Sequence, residues 1–176
     1  MRKVMLLAVL FVSLWCNSVL AVTPVQMNDH YSLYDIVEKY NSDCAKLDND
    51  FAKYMIPNSF TKMDDTFVPY TTAYAANNVL ADVYFVACLN DNGKLVAFAV
   101  GVPKTRDRAD CAIIASRLIQ SLDSSNPYKE VADRCYNSLV TGKPENLYSP
   151  AANRYYHFAG ETRGNGYYLY VFAYTE

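Results

Sequence analysis

The chain has 176 residues, of which 52% are hydrophobic and 19% charged, and its net charge is −2. Without the first 21 residues, which hold Arg2 and Lys3, the 16 basic residues fall to 14 against 18 acidic ones, with no long run of either sign. This balance excludes a general electrostatic attraction to nucleic acid or to an anionic membrane. The remaining length fits one domain that can bury a core of its own.

Residues 1–21 have the pattern of a secretory signal peptide. Two positive charges precede an apolar run from Val4 to Trp15, and small or branched residues lead to Ala21. The run is too short for the ~20 residues that a membrane-spanning helix needs. We therefore expect residues 22–176 to form a single exported domain, secreted or periplasmic, with no membrane contact after cleavage.

The first predicted element is an amphipathic helix from Ser32 to Met55. Its apolar side chains recur at three- and four-residue steps from Leu33 to Tyr54, the opposite face is charged, and Pro57 ends it. Residues 58–78 are irregular, with one strand candidate, "TFVPYTT", which Pro69 limits to an edge position or excludes.

A hairpin is predicted next. Two apolar, β-prone runs, residues 80–89 and 94–102, flank the turn sequence "NDNG". Because both runs are apolar at nearly every position, we expect them to lie in the centre of the sheet. Two helices follow, at 111–123 and 128–140, and the short connection between them places them side by side.

The predicted fold is therefore α+β. It has an antiparallel sheet of four to five strands, on which the N-terminal amphipathic helix and the mid-chain helix pair pack.

Four cysteines remain after the signal peptide, and an even number in an exported chain predicts disulfides. Cys111 and Cys135 both fall on apolar helix faces and are paired in this prediction, which leaves Cys44 with Cys88. The cysteine spacings contain no Cys-x-x-Cys, so no metal site is expected.

The chain lacks the motifs of the common catalytic and cofactor sites, so we predict no cofactor and favour a function other than catalysis. His157 and Glu161 are the alternative: a small secreted hydrolase could use them as a base and its orienting partner. Lys104, Arg106 and Arg108 precede a helix start, where they could hold an anion, but Asp107 and Asp110 among them favour a solvated cap.

The chain ends in an aromatic hairpin, residues 154–176. A turn at Asn165 and Gly166 places Gly164 opposite Tyr167 and puts His157, Glu161 and Arg163 on one face. The other face is then apolar or aromatic: Tyr156, Phe158, Leu169, Val171 and Ala173. A three-residue loop, 164–166, would instead turn the aromatic residues of the second strand into the core. The first register sorts charge from aliphatic residues better, and we prefer it.

In that register the polar face is exposed to solvent, and its tyrosines lie beside charged residues. Tyrosine and arginine are enriched in protein interfaces. We therefore expect a non-enzymatic exported binding protein, of inhibitor, immunity or adaptor type, that contacts a protein partner. A carbohydrate-binding module is a further alternative. The predicted binding residues are Tyr168, Tyr170, Phe172, Tyr174, His157, Glu161 and Arg163.

Overall fold

The computed structural model describes residues 23–47, 51–76 and 82–176. The predicted signal peptide lies outside these ranges. Within them the protein is α+β, with eight strands in one sheet and three α-helices. The strands are β1 (Pro24–Val25), β2 (Phe60–Lys62), β3 (Thr72–Ala76), β4 (Tyr84–Leu89), β5 (Leu95–Pro103), β6 (Glu145–Ser149), β7 (Arg154–Arg163) and β8 (Gly166–Tyr174). The helices are α1 (Leu33–Leu47), α2 (Arg108–Leu122) and α3 (Tyr128–Thr141).

The sheet runs in the order β2-β3-β4-β5-β8-β7-β6, and β1 pairs with the far end of β8. All the strand pairs are antiparallel, as predicted. The predicted number of four to five strands is wrong. The additional strands include β1, β2 and β6, which have two, three and five residues. Such short strands carry too few residues to show a period-two pattern in the sequence.

The predicted helix from Ser32 to Met55 is not confirmed in that form. An α-helix spans Leu33–Leu47, and a separate 3₁₀ turn spans Phe51–Tyr54. The chain turns back beside α1, since the Asn41 amide bonds both the N–H and the C=O of Ile56, and the Tyr40 hydroxyl donates to the Tyr54 carbonyl at 2.7 Å. The three- and four-residue spacing of apolar side chains therefore continues in the sequence past Leu47, where the α-helix ends.

Helices α2 and α3 lie against each other on one side of the sheet, which confirms the predicted pair. Asp107 caps α2 by accepting from the Ala109 N–H, and Gly142, at φ +66°, ends α3. The main core lies between these helices, α1 and the sheet. In the described part of the chain no helix is long and apolar enough to cross a membrane.

The predicted disulfides are wrong: Cys44, Cys88, Cys111 and Cys135 are all free and fully buried. Cys44 belongs to the main core, whereas Cys88 belongs to a second cluster on the other side of the sheet, so the sheet separates them. Cys111 lies in the main core with Cys135, but its thiol donates to the Val100 carbonyl at 3.4 Å instead of bonding to sulfur. An even cysteine count did not distinguish disulfides from buried thiols, because free cysteine is itself among the most buried residue types.

Candidate binding face

The aromatic hairpin turns at Gly164 and Asn165, with Arg163 opposite Gly166. Both predicted registers are therefore wrong. Gly164 has φ +52°, which suits a two-residue loop with glycine in its first position. The observed pairing differs from the preferred one by two residues, and a shift of two keeps every side chain on its predicted face.

The predicted sorting of side chains is thereby confirmed. The apolar face of the hairpin, Tyr156, Phe158, Leu169, Val171 and Ala173, is buried in the main core under the helices. The other face points away from the helices. It carries all seven predicted binding residues: Tyr168, Tyr170, Phe172, Tyr174, His157, Glu161 and Arg163.

This second face is not an open aromatic surface, contrary to the prediction. Tyr168 is only 7% exposed, and Tyr170 and Phe172 are each 2% exposed. The ring of Phe67 lies 5.7 Å from that of Tyr170, and Val68 packs with Phe172 in the second cluster. A second layer therefore covers the centre of the face.

That layer is the loop of residues 63–71, which includes all but the last residue of the predicted strand "TFVPYTT". The segment forms bends and a turn, and β3 begins only at Thr72. Pro69 has no N–H for a strand ladder, and Tyr70 takes a positive φ of 60°. The loop is held by its own hydroxyls: Thr66 and Thr71 bond each other at 2.7 Å, and both bond the Val68 carbonyl.

Tyr168 is packed on backbone. A Cβ built on Gly101, its cross-strand partner, would lie 2.6 Å from the ring, and one on Gly166 would lie 2.8 Å from it. The ring therefore occupies the space that two glycines leave open. Beside it, Glu161 and Arg163 form an ion pair at 2.8 Å. Tyr168 is thus a packing residue.

An exposed tyrosine row remains at the other end of the face. It consists of Tyr148 on β6, Tyr155 on β7 and Tyr174 on β8, which cross-strand pairing brings side by side. The ring centroids of Tyr148 and Tyr155 are 4.8 Å apart, and those of Tyr155 and Tyr174 are 5.1 Å apart. Tyr148 is 44% exposed, and the other two are half-buried.

The ring geometry decides what the tyrosine row can bind. The rings of Tyr155 and Tyr174 are nearly parallel, at 17°, so each covers a face of the other. A sugar stacked between two rings needs about 3.5–4 Å on either side, and spacings near 5 Å leave no room for it. The row offers ring edges and hydroxyls. The Tyr148 hydroxyl donates to Asn153, and a hydrogen bond to Glu176 raises the pKa of Tyr155.

His157 extends the tyrosine row towards the covered part of the face. Its ring lies 4.6 Å from that of Phe172, and Nδ1 is 2.8 Å from the Asn146 side-chain oxygen, a hydrogen bond that the Nδ1–H tautomer makes. Nε2 is buried and meets no hydrogen-bond partner in the described part of the chain. Burial lowers the pKa of His157 to about 4, so the imidazole is neutral at physiological pH.

His157 and Glu161 are not brought together. They lie four residues apart on β7, which is about 13 Å along a strand. His157 bonds Asn146, and Glu161 bonds Arg163. The base and orienting carboxylate of the hydrolase alternative therefore do not form a pair.

Two of the three basic residues around the start of α2, Arg106 and Arg108, contact other parts of the protein. Arg106 bonds Asp110 at 2.9 Å and the Lys53 carbonyl at 2.8 Å, and the Arg108 guanidinium lies 5.2 Å from the centre of the Tyr167 ring. Asp107 caps α2 as predicted, but the cap is not solvated, since the side chains of Arg106 and Asp110 are only 14% and 20% exposed. In the residues that the structure describes, no three His, Cys, Asp or Glu side chains are grouped as metal ligands.

A scan against family models, a search of curated proteins and a search of solved structures each found no match.

Sequence reasoning missed two of the three tyrosines in the row. Tyr148 was not considered because β6 has only five residues between Pro144 and Pro150 and shows no long alternation. Tyr155 faces outward by the same alternation that placed His157. A longer count along the hairpin would have found it.

Proposed function

We propose that the protein is a non-enzymatic exported binding protein that contacts a protein partner through the tyrosine row. The export part of the proposal is based on the pattern of residues 1–21. The observation that carries the binding part is that Tyr148 is exposed, with Tyr155 and Tyr174 half-buried beside it, while Tyr168, Tyr170 and Phe172 on the same face are covered.

The geometry supports a protein partner over a sugar. Packed rings lose little rotamer freedom on binding and present both apolar edges and hydroxyls, which suits the mixed surface of another protein. A glycan would need open ring faces, and the stacking of Tyr155 on Tyr174 covers one face of each of these two rings. The separation of His157 from Glu161 likewise gives the hydrolase alternative no support.

The test is capture of partners from the exported fraction on immobilised protein. We expect the double variant Tyr155→Ala, Tyr174→Ala to lose at least about tenfold in captured partner, because two interface tyrosines together contribute more than about 1.4 kcal/mol. The matched control is Tyr128→Ala, Tyr136→Ala, which removes two exposed tyrosines from α3 on the other side of the molecule.

Two results would contradict the proposal. One is equal capture by the row variant and the wild type, with both proteins folded. The other is an equal loss in the α3 control, which would make the effect one of tyrosine content instead of position.

A further inference from the structure

β6 is an edge strand with an open side. It ends the strand order, and no strand of the described ranges lies along its outer edge. Such an edge presents unpaired N–H and C=O groups that can accept another strand. The question is which backbone groups face outward and which strand they fit.

The hydrogen bonds of β7 identify the outward groups. The Gly160 N–H and the Phe158 C=O both bond the Ser138 hydroxyl, so they point away from β8. Phe158 therefore uses its backbone groups on the β6 side, where it pairs with Glu145. Because backbone direction alternates along a strand, Glu145, Leu147 and Ser149 bond to β7. The N–H and C=O groups of Asn146 and Tyr148 point out.

The sequence around this edge is symmetric about Leu147. Pro144 and Pro150 lie three residues before and after it. Both prolines flank the strand directly, and a missing N–H there ends a ladder. The open edge is therefore limited to Asn146 and Tyr148, two donors and two acceptors.

Charge does not oppose pairing at this edge. Within β6 the only charged residue is Glu145, and its carboxylate bonds Arg134 at 3.0 Å. The opposite edge of the sheet, β2, is three residues long and carries the exposed Lys62, a charge of the kind that blocks strand addition. Charge therefore blocks the β2 edge, whereas the β6 edge is limited only by its short length and its flanking prolines.

We propose that two copies of this chain associate by antiparallel pairing of their β6 strands around a two-fold axis at Leu147. Asn146 of each copy lies opposite Tyr148 of the other, and the two pairs make four backbone hydrogen bonds. Glu145 lies opposite Ser149, so no like charges meet. The prolines stop the ladder at both ends, which gives a closed pair and not an open filament.

The tyrosine row supports a second copy as the occupant. The row crosses β8 and β7 and stops at Tyr148 on the open edge. In the two-fold arrangement Tyr148 and its symmetry mate become diagonal neighbours, about 7–8 Å apart and within reach of aromatic side chains. Two rows of three tyrosines then form one row of six. This inference does not depend on the proposed function.

The test measures molecular mass by sedimentation equilibrium. For the wild type we expect the mass to approach that of two chains as concentration rises from about 1 µM to about 1 mM, since the interface is small. The double variants Asn146→Lys, Tyr148→Lys and Asn146→Glu, Tyr148→Glu each set like charges opposite each other, and each should stay monomeric. Mixed together, they should form a heterodimer at least about tenfold tighter than either self-pair.

Hydrogen exchange gives a second readout. The amide protons of Asn146 and Tyr148 should be protected only at high concentration, whereas the Leu147 amide, which bonds within the chain, should be protected at both. A wild type that stays monomeric at about 1 mM would overturn the proposal. Dimers that persist in the lysine variant, or the lack of a heterodimer between two folded variants, would overturn it as well.

Discussion

The surroundings of His157 favour the neutral form of its imidazole. It lies between the Phe172 ring and the Asn146 amide, and Nε2 is buried. No carboxylate in the described contacts compensates a positive charge there, and burial lowers its pKa to about 4. Protonation therefore opposes folding at this residue.

The expected consequence is an acid-sensitive contribution to stability. In the unfolded chain this imidazole has a pKa near 6.5, so below about pH 6.5 the unfolded state binds a proton that the folded state does not. The contribution of His157 to the free energy of unfolding should then fall by about 1–2 kcal/mol between about pH 6.5 and pH 4, with allowance for partial exposure, and should not change further below pH 4.

The measurement is urea unfolding of wild type and His157→Gln from pH 7.5 to pH 3.5. Glutamine keeps a group that can bond Asn146 but does not titrate, so the difference between the two curves isolates His157 from the carboxylates. Parallel curves across this range would show that the imidazole is not responsible.

At the scale of elements, α3 is joined to β7 by a contact too close for any side chain. A Cβ on Gly160 would lie 2.4 Å from the Leu139 nitrogen and 2.5 Å from the Ser138 carbonyl carbon. At the same contact the Ser138 hydroxyl donates to the Phe158 carbonyl and accepts from the Gly160 N–H, both on β7. Helix and strand are thus held at backbone contact distance.

Gly160→Ala should therefore destabilise the fold. The atoms in the way are helix backbone and cannot move as a side chain tip would, so we expect a loss of about 2–3 kcal/mol in the free energy of unfolding. The control is Gly93→Ala, where a positive φ of 70° imposes strain but nothing lies within 4 Å, and the loss should be about 1 kcal/mol. Equal losses in urea unfolding would mean that backbone strain, and not the helix contact, sets the cost.

The long elements could be predicted from the sequence and the short ones could not. The helix pair and the hairpin of β4 and β5 carry sustained patterns, and the structure confirms them. The sequence also predicted which side chains of the aromatic hairpin lie on each face of the sheet. The observed loop, Gly164 and Asn165, and the predicted loop, Asn165 and Gly166, both have two residues, so the same side chains share a face in either case.

The covering of the candidate face could not be predicted. Phe67 meets Tyr170 across more than 100 positions of sequence, and no local pattern reports such a contact. The loop also has little periodicity of its own, since its order comes from Thr66 and Thr71. Alternation places a side chain on a face but does not say what lies over that face.

At the scale of the whole molecule, the sheet separates two apolar layers. The helices and the main core lie on one side, and Val68, Cys88 and Phe172 belong to the smaller cluster under the loop on the other. The four free cysteines of the described ranges are divided between the layers: Cys44, Cys111 and Cys135 lie in the first, and Cys88 lies in the second. Their reactivity therefore measures whether the layers open together.

We expect four thiols to react in one cooperative step with global unfolding. All four are fully buried, and desolvation raises the pKa of Cys88 to about 11 and also raises the pKa of Cys111 and Cys135, so little thiolate is available in the native state. The measurement is thiol titration against urea, without reductant, in a Cys16→Ser background that leaves only these four. Fewer than four thiols in fully denatured protein would reveal a disulfide and contradict the structure. Early reaction of a single thiol, removed by Cys88→Ala, would instead show that the loop layer opens before the main core because it is the smaller of the two.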